Sequence, residues 1–318
     1  MAVASQAVSP TRLGLRRRDL TNALSFWGMV GPLVLGLLIF TVAPIVWGFL
    51  LSIHDSRGTV KLTKFVGLAN YEAMLGNPEF LKSLITVVEF AIFIVPTTFA
   101  LSLFLAVLVQ NAPFAKGIFR SIFFIPTAIS YVIASMIFRM SIFNGVPSGL
   151  ANQLIYVLFK HDPITWIGTT NPPWYWLVLV SVRLWLQIGF YMVVFIAGMQ
   201  AIPTELYEAA RVDGAESKWT LFWRITFPLL RNTSIFILLI NIIHAFNAFA
   251  EFFNVLGGTY ATNLFTLARP PLLYLYQVAM SQQDYGRGTA GAFILAVIII
   301  AATLIQNRIS GGLGREAY

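Results

Sequence analysis

The sequence predicts an all-α membrane protein with six transmembrane helices and both termini in the cytoplasm. Three observations carry that prediction. Hydrophobic residues make up 58% of the 318-residue chain and charged residues only 11%, with a mean hydropathy of +0.76, against about 45–50% and about 25% in soluble domains. The apolar residues are gathered into runs of about 20 or more, the helix length that crosses a hydrocarbon core of about 30 Å. Buried helices of a large soluble protein would show runs of only about 10–14 residues. Most Arg and Lys residues lie at or beyond the ends of these runs. A lipid-exposed backbone must satisfy its own hydrogen bonds, so every span is expected to be a helix.

The spans are expected at about 25–53, 83–110, 119–142, 174–199, 230–255 and 286–306. The first follows Arg16, Arg17 and Arg18, a cluster also found in twin-arginine and secretory signals. Its apolar stretch is too long for a signal and no small-x-small cleavage site follows, so it is read as a retained span. Pro44, Pro96 and Pro126 fall inside the first three spans. Each removes one intrahelical bond and should kink its helix. With the N-terminus inside, twelve Arg and Lys residues flank spans on the cytoplasmic side and eight on the outer side, the bias that orients membrane proteins. Residues 1–24 and 309–318 then become cytoplasmic tails around a membrane domain of residues 25–308.

Several chemistries are excluded early. The chain has no cysteine, which removes disulfides, thiolate nucleophiles and thiolate metal sites. His54, His161 and His244 lie far apart, without a neighbouring ligand at metal-site spacing. The net charge of +8 is explained by topology and anionic lipid, not nucleic acid, because the basic residues flank apolar spans. No Gly-rich loop ending in Lys-Ser or Lys-Thr is present, so no ATP site is expected on this chain.

Between the fourth and fifth spans runs Ala201-Ile202-Pro203-Thr204-Glu205-Leu206-Tyr207-Glu208-Ala209-Ala210-Arg211-Val212-Asp213-Gly214-Ala215, continuing to Ile225-Thr226-Phe227-Pro228. Pro203 opens a helix, Leu206, Ala209, Ala210 and Val212 give it an apolar side, and Gly214 can end it in a left-handed turn. Trp219, Phe222 and Trp223 recur at the spacing of a second short amphipathic helix. Such a helix–turn–helix is shaped to fill a groove in another protein.

On these residues the chain resembles the permeases of binding-protein-dependent ABC importers, carbohydrate branch, and is similar to the larger permease subunit of the maltose transporter. The family signature is Glu-Ala-Ala, three residues, Gly, nine residues, then Ile-x-Leu-Pro. Glu208, Ala209, Ala210, Gly214, Ile225 and Pro228 match it, with Asp213 just before the glycine. Ten residues rather than nine separate Gly214 from Ile225, and Phe227 replaces the usual Leu. Phe65-Val66-Gly67-Leu68-Ala69-Asn70-Tyr71 and Phe119-Arg120-Ser121-Ile122-Phe123-Phe124-Ile125-Pro126 are two further landmarks in family order. The resemblance implies a type I ABC importer transmembrane fold, with residues of about 200–228 as the coupling loop. It also implies a second, related permease subunit, an extracytoplasmic solute-binding protein and two ATPase subunits that carry the ATP and Mg, and it places the chain in the bacterial inner membrane.

Glu89, Arg183, His244 and Glu251 lie in or close to spans, where charge costs about 2.5–3.5 kcal/mol at mid-bilayer and so usually faces a bundle interior or wet cavity. Arg183, Gln187, Phe190 and Tyr191 share one face of the fourth span, and Asn241, His244, Ala248 and Glu251 one face of the fifth, with Asn247 adjacent. Aromatic faces beside amides and charged groups suit sugars, which present C–H surface and hydroxyls. The resemblance places the family's sugar-contacting positions on Leu186, Gln187, Phe190, Asn241, His244, Ala245 and Ala248. Helix packing is the competing reading for each. Arg183 and His244 leave room for an anionic solute such as glycerol phosphate or a sugar acid. A proton-coupled secondary transporter remains the rival class, through Glu89 and Glu251. An intramembrane enzyme lacks a nucleophile or metal constellation.

Overall fold

The structure, a computed structural model, describes residues 17–215, 217–257 and 268–309. Arg12, Arg16, Arg315, the last nine residues and Glu216 of the loop lie outside the described residues. Helix α1 (Arg17–Leu37) runs through a π turn (Leu38–Val42) into α2 (Ala43–Ser52). Pro44 has no N–H to donate. The backbone answers by widening, and Ala43 N–H bonds to Leu38 O five residues back. A two-stranded antiparallel ribbon, β1 (His54–Asp55) and β2 (Lys64–Phe65), and α3 (Ala69–Leu75) follow.

Helix α4 (Pro78–Gln110) starts five residues before the expected 83 because its end is well capped. The Asn77 side chain accepts from Glu79 N at 2.9 Å and Phe80 N at 3.3 Å, and Pro78 sits where a missing N–H is harmless. Pro96 is accommodated inside this one helix. Helix α8 (Tyr175–Gln200) packs along α4, and α15 (Tyr285–Ile309) packs on α2 and α3. The first span, Leu24–Ser52, buries none of its most apolar stretch within the chain.

Two expected spans need correction. The third, expected as 119–142, is a bent pair: α5 (Lys116–Phe124) with a 3-10 turn (Ile125–Ala128), then α6 (Tyr131–Ile137) with a π turn (Phe138–Ile142), meeting at 98°. Pro126 tightens the first half, Ile129 and Ser130 are extended, and the Ser130 side chain caps α6 at Val132 N. The fifth, expected as 230–255, is α12 (Arg231–Phe246) and stops at Asn247. Phe249 breaks the helical backbone before α13 (Ala250–Phe252) and a π turn (Phe253–Gly257). Among the described residues four helices are thus long and apolar enough to cross a membrane, or up to six if the 98° pair and a second pair, Lys218–Leu229 with Arg231–Phe246, bent by 66°, each count as one span.

Buried side chains form three clusters. One surrounds Phe90, Val178, Val182, Leu186 and Phe252, a second Leu103, Tyr191, Phe195 and Leu230, and a third Met74, Phe80, Tyr274 and Leu295. Between α5 and α8 the backbones nearly touch. A Cβ on Gly189 would lie 1.8 Å from Phe123 O, so only glycine permits this approach.

Candidate solute pathway and coupling segment

The polar faces expected on the fourth and fifth spans meet around one cation. Arg183, on α8, is 5% exposed, and its Nη2 lies 2.6 Å from Glu251 Oε1. Its Nη1 donates to Tyr131 Oη at 3.1 Å and its Nη2 to His244 O at 3.0 Å. The guanidinium also stands 5.1 Å from the Tyr131 ring centre and 5.6 Å from that of Phe90, within cation–π range. The break after Phe246 is what makes the pair possible, because it folds Glu251 back toward α8.

One turn along α8, Gln187 Nε2 lies 3.3 Å and Tyr191 Oη 3.2 Å from His244 Nδ1. With the Gln187 amide assigned this way round its nitrogen donates, which makes Nδ1 the acceptor and assigns the imidazole proton to Nε2. Asn241 Nδ2 donates to Val95 O at 3.4 Å. Gln187 Oε1 and Asn241 Oδ1 are buried acceptors with no partner among the described residues. Tyr131 was not singled out in the sequence. Its signal was faint: an aromatic hydroxyl at a helix start just after Pro126.

The remaining candidates lie apart from these contacts. Leu186, Ala245 and Ala248 are buried within the apolar cluster around Phe90. Phe190 is half-buried and packs edge-on against Tyr191. Asn247 is exposed, and its amide donates to Ile243 O at 2.8 Å to close the end of α12. Glu89 is exposed on α4 and outside the cluster. Among the described residues no group of three or more His, Asp or Glu could hold a metal.

At the opposite end of α8, Pro203 leads into α9 (Thr204–Val212). Ala215 N bonds to Ala210 O at 2.9 Å and Gly214 N to Arg211 O at 3.1 Å, with Gly214 at φ +86. That is a Schellman ending, in which the left-handed residue is glycine because a Cβ is disfavoured there. Asp213 caps the helix, and Glu208, Ala209 and Asp213 are exposed while Ala210 is half-buried. Ser217 then caps α10 (Lys218–Leu221) by accepting from Trp219 N. A π turn (Phe222–Thr226) and α11 (Phe227–Leu229) complete the hairpin. Tyr207 Oη and Thr226 Oγ1, 3.0 Å apart, tie its two arms. Ile225 is half-buried and Pro228 exposed. Leu206, Val212 and Trp219 are 42%, 88% and 70% exposed, an apolar surface with no local core beneath it.

A bundle of apolar helices around a polar cluster in which Arg183, Gln187, Asn241 and Glu251 are buried and His244 is exposed, with an exposed hairpin at one end, has the form of a transport subunit that is worked from outside itself. The chain belongs to the family of binding-protein-dependent transport system inner membrane components, whose profile matches residues 75–315. It is 33% identical to the arabinooligosaccharides transport system permease protein AraP of Bacillus subtilis (strain 168), over 90% of this chain and 88% of that one. It is 34% identical to the sn-glycerol-3-phosphate transport system permease protein UgpA of Agrobacterium fabrum, over 77% of this chain and 80% of that one. A solved bacterial ABC transporter involved in import of the acidic polysaccharide alginate contains a chain of the same fold, with TM-score 0.79 and 22% identity over 92% of this chain and 97% of that one.

Proposed function

We propose that this chain is a permease subunit of an ATP-driven, binding-protein-dependent importer for a neutral sugar or oligosaccharide, working in the bacterial inner membrane. The bent third span and α12 each cross once, giving six spans, with both termini and the segment of about 200–228 in the cytoplasm. A related second permease completes the pathway, an external binding protein delivers the solute, and two ATPase subunits supply ATP and Mg chemistry. Relatives that carry arabinooligosaccharides and other sugars support the substrate class. Residues 25–308 form the membrane domain between short cytoplasmic tails.

The mechanism follows from the chain's own groups. Closure of the ATPases displaces α9 to α11, whose apolar surface fills a groove on one of them. Glu208 meets a basic group there, and Asp213, Gly214, Ile225 and Pro228 hold the hairpin's shape. Displacement of α8 and α12 opens the polar cluster to solute. Gln187 Oε1 and Asn241 Oδ1 then accept from hydroxyls, His244 Nε2–H donates, and the rings of Tyr191 and Phe190 cover C–H surface. Leu186, Ala245 and Ala248 shape the wall behind them.

One observation favours a neutral solute over glycerol phosphate: the Arg183 charge is already matched by Glu251 at 2.6 Å. The test is ATP-dependent uptake into proteoliposomes bearing the complete transporter and its binding protein. Neutral oligosaccharide should accumulate and should not be displaced by excess glycerol phosphate. Uptake of the anion alone, or uptake without ATP, would overturn the reading.

A further inference from the structure

Helix α7 (Leu150–Phe159) stands in the connection between the third and fourth spans, at the end of α8 opposite the coupling segment. It is built inside out. Asn152, on one face, is 2% exposed and donates to Asn144 O, Val146 O and Ile164 O while accepting from Ile164 N and Trp166 Nε1, at 3.0 to 3.3 Å. That side chain fastens the helix to the protein. The opposite face carries Leu150, Leu154, Val157 and Leu158, at helical spacings of 4, 7 and 8, exposed by 52%, 55%, 67% and 69%.

We infer that α7 is an interfacial anchor, lying in the headgroup layer of the membrane leaflet away from the coupling segment with this apolar face in lipid. Three features choose lipid over a protein partner. The face is continuous with the lipid-facing surface of the third span: α7 packs on the turn Phe138–Ile142, beside exposed Met136, Ile137 and Met140. Its four-residue stripe is wholly apolar, with exposed Gln153 only at the edge, whereas a surface that docks and releases a soluble protein is about as polar as the rest of its exterior. Its end has the composition of a membrane boundary: Tyr156 with the Lys160 ammonium 4.9 Å from its ring centre, the pairing of amphipathic ring and snorkelling cation found at headgroup depth. A helix so placed fixes the depth and tilt of the third and fourth spans, which supply Tyr131 and Arg183 to the polar cluster. The inference rests on the chain spanning the membrane and not on the solute assigned to it.

The test uses the absence of native cysteine. Val157→Cys and Asp162→Cys, each carrying an environment-sensitive fluorophore, are placed in the complete transporter in lipid nanodiscs. Lipid with a nitroxide near its ester carbonyls should quench the Val157 label several-fold more than the Asp162 label, and aqueous iodide should do the reverse. Equal iodide quenching at both sites would overturn the inference by showing a water-exposed face. Quenching by neither agent at Val157, or protection that appears only when the binding protein is added, would overturn it in favour of a protein cover. Uptake does not enter the readout, so this result and the test of the transported solute fail separately.

Discussion

Arg183 and Glu251 form a buried ion pair, 2.6 Å apart and 5% and 2% exposed, that joins α8 to the segment beyond the break in the fifth span. Tyr131, just past the break in the third span, accepts a hydrogen bond from the same guanidinium on its hydroxyl oxygen. Both interrupted spans are therefore referred to one side chain.

Removing one member of the pair leaves an uncompensated buried charge, which costs about 3–5 kcal/mol. Arg183→Met and Glu251→Leu should each lower the thermal stability of the purified transporter sharply, and the double variant should recover most of the loss. A double variant whose loss equals the sum of the two single losses would mean that the charges do not interact.

Gln187→Ala, Asn241→Ala and His244→Ala should each reduce uptake, by roughly 5- to 30-fold for the loss of about 1–2 kcal/mol of hydrogen bonding to solute. Assembly and basal ATP hydrolysis should persist, since none of the three touches the coupling segment. Unchanged uptake kinetics in all three would move the pathway elsewhere.

Gly214→Val places a branched Cβ at φ +86, where strain costs about 1–2 kcal/mol. Among the described residues beyond its chain neighbours nothing lies within 4 Å of that Cβ, so a larger effect points to the ATPase surface. Gly214→Val and Glu208→Lys should leave the spans folded yet weaken ATPase co-purification or uncouple hydrolysis from uptake. Normal solute-stimulated hydrolysis and uptake in both would refute the docking role.

The ten residues between Gly214 and Ile225 can be cut to nine in two ways. Deleting Ser217 removes the cap on α10, worth about 1 kcal/mol, while deleting Glu216 spares both that cap and the Ala215 bond to Ala210. If the extra residue only lengthens the turn, the Glu216 deletion should transport and the Ser217 deletion should be weaker. Loss of transport in both would show that the ATPase groove is fitted to the longer hairpin.

Much of this was legible in the residues, and the gaps have physical causes. Continuous apolar runs marked α4, α8 and α15, and Pro203 and Gly214 marked both ends of α9. Hydropathy could not see the stop at Asn247, because Phe249, Phe252 and Phe253 keep the segment as apolar as a span. It could not see Ile129 and Ser130 as extended for the same reason. Shared faces placed Arg183, Gln187 and His244 near one another, since helical spacing is fixed. Burial depth was not encoded there: Leu186, Ala245 and Ala248 sit on the expected faces but pack among apolar neighbours, and Glu89 lies on the outer side of its helix.

The missing side chain at Gly189 has a mechanical consequence. Bone-to-bone contact between α8 and the Phe123 carbonyl leaves no soft layer to absorb shear, so the two helices pivot as a single beam. The 26 residues of α8 span about 39 Å, and a pivot of about 10° at one end would sweep the other through about 7 Å. A tilt of that size at Gln200 would carry Arg183, part way along the same helix, through about 4 Å.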